Sequence, residues 1–432
     1  MNYTLLIVPA LAAALVGSFL ITGGACLLLG MARSELSFLE NRSWWPGFAN
    51  TGMRDVVPFM VIVIVLFFRG HRLPTRGTLT GGRQAFAPEP RNIPQATVVL
   101  CSLGLAAIFL FDRALRLSLY QSMTATIIVL SIVVLTGYLG QVSLAQAVFA
   151  GLAGFILGKL GAETGIPFPL TPLLAAIGAM ALGVIVAIPA LRVRGIQLAV
   201  VTMALGVAVG TLIFSNKFFI GDTGAIPIES PDLFGIDLAS NIGADFNRWE
   251  YGVMLLIVTS LCSLLVVNLR RSNTGRRILA VRANEAAAAA SGVDVAQTKL
   301  VAFAISSFLA GMGGAMLAYL RGQLSGDSFS VFVSLSLVAF AYLGGIGLVS
   351  GALLAGAIAP GGLVVGLMDA GFGGENLDTY ANLFGGIGLI VTAIFNTDGI
   401  AGKTARTLQA RRARRELQQP QPVPERTMEA AT

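Results

Sequence analysis

Apolar residues in this chain come in long unbroken runs rather than in alternation. A helix needs about 20 apolar residues to cross a hydrocarbon core of roughly 30 Å, and runs of about that length recur from end to end. They predict twelve membrane segments: Leu5–Gly30, Asp55–Phe68, Gln95–Phe111, Leu117–Thr136, Val142–Gly161, Leu170–Leu191, Gly195–Phe214, Trp249–Leu269, Thr298–Leu320, Ser330–Leu348, Ser350–Met368 and Thr379–Phe395. Gly344-Gly345 and Pro360-Gly361-Gly362 interrupt two of these runs. Bent, short or re-entrant segments are expected there, because irregular backbone at membrane depth is tolerated only under cover of protein or a water-filled cavity. The expected fold class is all-α, a polytopic transmembrane helical bundle of about 10–12 membrane segments.

Composition supports this reading. Of 432 residues, 55% are hydrophobic and 12% charged, against roughly 25% charged in an ordinary soluble domain. No soluble core could hide that much apolar surface. The 51 glycines suit closely packed membrane helices. Cys26, Cys101 and Cys262 lie far apart inside apolar runs, without CxxC spacing, so neither a disulfide framework nor a zinc site is expected. The single histidine, His71, sits in a basic loop.

The formal charge of +7 reads as an orientation signal and not as nucleic-acid affinity. With the segment after Phe68 placed in the cytoplasm and sides alternating, four cytoplasmic stretches collect 20 of the 29 basic residues. The largest outside loop, 215–248, carries Asp222, Glu229, Asp232, Asp237 and Asp245 against Lys217 and Arg248. A multi-pass chain with both termini cytoplasmic is therefore expected. Residues 70–94, rich in Gly, Pro, Thr and Arg, read as a cytoplasmic linker between a two-span unit (1–69) and the larger unit (95–402). Residues 403–432 read as a disordered basic tail whose cations can touch anionic membrane lipid.

The most informative loop comes after Leu269. Asn284-Glu285-Ala286 through Ala290 is a strong helix former, with Asn284 as N-cap and Glu285 in the first turn, where the helix dipole favours an acid. Ser291-Gly292 ends it. A short helix faced by small Ala side chains can serve as a contact for another protein or as an amphipathic connector. Arg276, Arg277 and Arg282 can add charge pairing to such a partner, although the orientation signal accounts for them equally well.

Glu285-Ala286-Ala287 followed by Gly292 resembles the EAA loop of ABC-importer permeases, with the Gly one residue later than in the general pattern. With Lys299 through Ser306 and Leu309 through Ala315, it is similar to the branched-chain amino acid permeases of the LivM type. Further blocks agree: Thr136-Gly137-Tyr138-Leu139-Gly140-Gln141-Val142-Ser143-Leu144-Ala145-Gln146-Ala147, Leu191 through Thr202, Tyr342 through Gly347, and Phe395 through Ile400. In the block that begins at Thr136 the family usually has Gly-His where this chain has Ala145-Gln146. The resemblance runs from about residue 95 to 402. Residues 1–77 resemble the C-terminal end of the LivH-type partner permease.

The resemblance implies an ABC importer permease architecture in the bacterial inner membrane. It also implies a second LivH-like permease subunit (or a second copy of this chain), two cytoplasmic ATPase subunits and an extracytoplasmic substrate-binding protein. ATP chemistry needs a GxxxxGK[ST] loop, and the sequence contains none. No cofactor or metal is expected in this chain, ATP being bound by the separate subunits. Glu285, Ala286, Ala287 and Gly292 are the expected contact with them. Gly140, Gln141, Ser143, Gln146, Gln197 and Thr202 are candidates to line the pathway, or else to serve as interhelical glue worth on the order of 1 kcal/mol or less each. The expected function is inward transport of leucine, isoleucine and valine. The alternatives are urea, short amides or sugars in the same fold, or an ATP-independent carrier. The latter calls for buried ionisable pairs at span centres, which the sequence does not offer. No nucleophile–base pair or paired-carboxylate constellation indicates an enzyme.

Overall fold

Apolar backbone in a membrane must satisfy its own N–H and C=O groups, which a helix does internally. The computed structural model describes residues 19–39, 42, 53, 56–57, 59–61, 88, 93–191, 196–214, 216, 220, 224–233, 235–241, 246–372, 386–387, 390 and 399–407. Its long apolar runs are helical: α1 (Phe19–Leu39), α2 (Ile93–Leu110), α3 (Arg113–Ile132), α4 (Gln146–Thr164), α5 (Leu170–Ala190), α6 (Ile196–Val209) and α7 (Trp249–Arg271). Two short helices come next, α8 (Asn273–Ala283) and α9 (Glu285–Ala290). The chain then returns through α10 (Val295–Arg321), α11 (Val331–Gly344), α12 (Val349–Ile358) and α13 (Leu363–Phe372). Among the described residues seven helices are long and apolar enough to cross a membrane, the pair α12–α13 counting as one, and two shorter apolar helices (Leu198–Phe214 and Val331–Gly344) accompany them. The all-α, multi-pass membrane fold expected from the sequence is thus present.

Helix α10 is the axis of the bundle. It packs on α5, α4 and α3, and small residues let it do so. A Cβ on Gly314 would collide with the carbonyl of Ala150 in α4, and one on Gly311 would lie 2.8 Å from the methyl of Ala179 in α5. Close backbone approach of this kind drives helix association where lipid removes the hydrophobic incentive. Gly151 and Gly154 also serve packing. The space beside Gly151 is taken by the rings of Phe214 and Phe329 at 2.6 and 2.7 Å, and that beside Gly154 by Leu324. By contrast α2 presents Val98, Val99, Leu100, Leu103, Phe109 and Leu110 outward. Such a continuous apolar face is stable against lipid and not against water.

The ends of the bundle differ in character. At one end the strand β1 (Ala225–Pro227) pairs antiparallel with β4 (Gln323–Ser325), and β2 (Asp232–Leu233) with β3 (Ile236–Asp237). Glu229, Asp232 and Asp237 belong to this end. The other end gathers the turn after α3, the pair α8–α9, the turn Gly345–Leu348 and Gly399. It carries Arg270, Arg271, Arg276, Arg277 and Arg282.

Several boundaries differ from the expected ones, each for a local reason. Helix α1 continues past Gly30 to Leu39 through Arg33 and Glu35, because hydropathy ends a span without ending helix propensity. Helix α4 starts at Gln146 instead of Val142, since Gly140 has φ +77° and breaks the helix. The Ser330–Leu348 segment stops at Gly344, where Gly345 takes φ 118°. The Ser350–Met368 segment is broken between Ile358 and Leu363 at Ala359-Pro360-Gly361-Gly362, as its Pro and glycines predict. Most of Asp55–Phe68, the linker, Thr379–Phe395 and the tail beyond residue 407 lie outside the described residues.

Candidate functional site

Helix α9 forms as its sequence dictates. Asn284 Oδ1 accepts from the N–H groups of Ala286 (3.0 Å) and Ala287 (3.1 Å), the N-cap expected of asparagine. At the other end Gly292 adopts φ +83°, and the Val293 N–H closes back on the Ala288 carbonyl at 3.0 Å. That is the left-handed terminus glycine permits. Ala288 is buried, while Ala286, Ala287, Ala289, Ala290, Ser291 and Gly292 are exposed. The Glu285 carboxylate turns back into the protein and lies 2.9 Å from Lys299 Nζ, whose side chain is 3% exposed. The outward face of α9 is therefore methyl groups and backbone. A partner can approach it closely, without charge to desolvate.

Just above α9 the helix α3 loses its regular winding. Val133–Tyr138 forms a turn of π-helix. The Leu139 N–H bonds the Val134 carbonyl at 3.2 Å and the Gln141 N–H reaches Leu135 at 3.1 Å, five and six residues back. The segment 139–145 is then irregular and largely buried. Its polar backbone is satisfied by hydroxyls. The Leu144 N–H donates to Thr202 Oγ1 (2.9 Å), the Ala145 N–H to Ser143 Oγ (3.3 Å) and the Ala147 N–H to Ser334 Oγ (2.9 Å), while Thr136 Oγ1 donates to the Gln141 carbonyl (3.1 Å). This is how a helix start and a loop are accommodated inside a membrane bundle.

Of the six candidate pathway residues, the structure brings Gly140, Gln141, Ser143, Gln146 and Thr202 to this one region. The side chain of Gln197 lies outside the described residues. Ser143 and Thr202 hold backbone there. Gln146, 1% exposed, accepts at Oε1 from Ser131 Oγ (2.9 Å), with Ser306 Oγ at 3.5 Å, and its Nε2 has no partner. Gln141 Oε1 is likewise buried without a partner. A buried amide lacking a hydrogen bond costs about 1–3 kcal/mol, so these two mark the seam as a place where buried polar groups are left unpaired. Ser131, Ser306, Ser334 and Lys299 were not among the site residues expected from the sequence. Lys299 carried the clearest signal, a cation at the entry of an apolar run.

Arg282 joins α9 to this region. It lies in the last turn of α8, and its Nη1 donates to the Gly137 carbonyl within the π-turn. Burial lowers its guanidinium pKa from the usual value, with Tyr342 nearby acting the other way. Among the described residues His, Cys, Asp and Glu side chains nowhere gather in threes. The chemistry available is that of amides, hydroxyls and backbone.

Residues 115–393 match the family described as "Branched-chain amino acid transport system / permease component". The chain belongs to this family. The chain is also similar to the high-affinity branched-chain amino acid transport system permease proteins LivM of Escherichia coli K12 and Salmonella typhimurium LT2. The first is 30% identical over 267 residues, 58% of this chain and 63% of that protein; the second is 30% identical over 244 residues, 52% and 57%. The L-arabinose transport system permease protein AraH of Escherichia coli K12 is 27% identical over 181 residues, 41% of this chain and 52% of AraH. The chain thus spans less than two thirds of the length of these relatives. These relatives are transport permeases, not enzymes. No solved structure matches the chain.

Proposed function

We propose that this permease-family chain is a membrane-spanning subunit of an ATP-driven importer of leucine, isoleucine and valine. The observation that carries the reading is the exposed Ala286–Gly292 face, at the basic end of the bundle and one arginine away from an irregular, polar, buried stretch of membrane helix. In this reading two ATPase subunits press on that face from the cytoplasm, with both termini on the same side of a bacterial inner membrane. A second permease, LivH-like or a copy of this chain, completes the channel. A substrate-binding protein docks at the acidic opposite end. The seam of Gly140, Gln141, Ser143, Gln146 and Thr202 borders the path. Residues 1–69 are the end of a LivH-type partner joined through the linker 70–94. Energy enters from outside the chain, since it carries no phosphate-cradling loop of its own.

The similarity to AraH, and to the xylose transport system permease protein XylH of Haemophilus influenzae, favours a second reading, pentose transport. One assay separates the two. Cells expressing the chain with candidate ATPases and a candidate binding protein from the same organism are given labelled leucine, arabinose or xylose. ATP-dependent leucine uptake, competed by isoleucine and valine, is expected. Pentose uptake without leucine uptake replaces the substrate, and uptake undiminished without the ATPases overturns the importer reading.

A further inference from the structure

We propose that Arg282 is a positioning residue that couples helix α9 to the membrane core by biasing the π-turn of α3 between two windings; this rests on the importer reading above. Helix α8 packs on the bundle by one face, Gly275, Ile278 and Val281 with Leu279 and Ala280 half-buried beside them, and leaves Arg276, Arg277 and Ala283 exposed, so it can shift as a rim element without opening the core. Arg282 and the N-cap of α9 are separated by one residue, so the cytoplasmic helix and this side chain move as one piece.

What Arg282 holds is the weak point of α3. A helix C-terminus exposes carbonyls and a partial negative charge, which a bonded cation stabilises. The guanidinium takes the Gly137 carbonyl, and its aliphatic stem fills the space beside Gly140, where a Cβ would stand 2.9 Å from Arg282 Cγ. Gly137 has the carbonyl of Ile346 on its other side. The π-turn is therefore clamped between the Gly345–Leu348 turn and a side chain of the ATPase-facing unit. A π-turn holds one residue more than regular helix needs. Withdrawing its clamp lets the bonds of Leu139 and Gln141 shift toward the regular spacing. That shift rotates and displaces residues 139–145 and the start of α4, where Gln146 meets Ser131 and Ser306. Two discrete windings, both biased by one movable residue, form the physical element that coupling between distant sites requires.

The test uses the whole complex, with its ATPases and binding protein, in proteoliposomes. ATP hydrolysis, labelled leucine uptake and ATPase co-purification are measured on the same preparations for wild type, Arg282→Met and Arg282→Lys. Arg282→Met is expected to bind the ATPases and hydrolyse ATP within about 3-fold of wild type, while leucine moved per ATP falls about 10-fold or more. Arg282→Lys, with one charge but no fork, restores part of it. Hydrogen exchange supplies a readout that a merely structural role would not move and that does not need the right solute. In wild type, ATP changes protection at the Leu139 and Gln141 amides, and in Arg282→Met it no longer does. If Arg282→Met fails to assemble, Arg282→Lys decides, because it keeps the charge and loses the fork that takes the Gly137 carbonyl, and it is expected to cut leucine per ATP by a smaller factor. Unchanged leucine per ATP in an assembled variant, or an ATP-dependent exchange change that survives the loss of Arg282, overturns the proposal. A wild-type complex that shows the exchange change without moving leucine overturns the substrate and leaves the coupling in place.

Discussion

The ion pair of Glu285 and Lys299 anchors the cytoplasmic helix. The ammonium is buried and its carboxylate partner is 21% exposed. Removing one member of such a pair leaves a buried charge uncompensated, at a cost of about 3 kcal/mol. Glu285→Ala is therefore expected to lower the melting temperature of the purified protein, and Lys299→Met to cost less, because no buried charge remains. Equal losses from both would mean that the pair is not what holds the helix. Part of this was legible in the sequence. Asn284 as cap and Gly292 as stop come from local rules, and both stand as expected. Glu285, one of the residues expected at a partner contact, also pairs with Lys299 within the chain. Its partner lies 14 residues on, across the start of another helix, where no local rule reaches. The same holds for Ser334 and Thr202, whose hydroxyls satisfy backbone 187 and 58 residues away in sequence.

Among elements, α9 and the segment it serves show what pattern reading can and cannot find. Runs of apolar residues located the helices, because length and hydropathy alone decide whether a helix can span. They did not locate the π-turn, since Val133–Tyr138 is as apolar as regular helix and nothing in its composition distinguishes the two windings. The break between α12 and α13 was visible because Pro and Gly are themselves the cause. For α9, Gly292 separates fold from function. A Cβ there meets nothing within 4 Å, so the only penalty for Gly292→Val is the left-handed backbone, about 1–2 kcal/mol. The bundle far from this exposed turn is not expected to notice. Gly292→Val should therefore reach the membrane in normal amount while leucine uptake falls several-fold and ATPase co-purification weakens. Normal uptake with a protein present at wild-type level would remove α9 from the coupling path.

At the scale of the whole molecule, one asymmetry organises everything else: arginines crowd the end that holds α8 and α9, and carboxylates the end built from the two small sheets. Lys and Arg near short loops set orientation during insertion, whereas Asp and Glu contribute little. The arginine end should then be cytoplasmic, which is also where an ATPase must be. The aromatic pair Phe109–Trp249, with ring centroids 5.6 Å apart, lies toward the acidic end, and tryptophan is favoured at a membrane–water boundary. Sidedness can be measured directly. In a Cys26→Ser, Cys101→Ser background, which leaves buried Cys262 as the one native thiol, Ala289→Cys and Ser230→Cys place reporters on exposed positions at opposite ends. A membrane-impermeant maleimide should label Ser230→Cys in intact spheroplasts and Ala289→Cys only in inside-out vesicles. Neither position is packed against the bundle, so both variants should retain uptake before labelling, and under the importer reading the tag on Ala289→Cys should then abolish it by occupying the face proposed for the ATPase. The reverse labelling pattern would put α9 outside the cell, out of reach of any ATP-driven partner. The orientation and the importer reading would then fail together, while the helical bundle itself would stand.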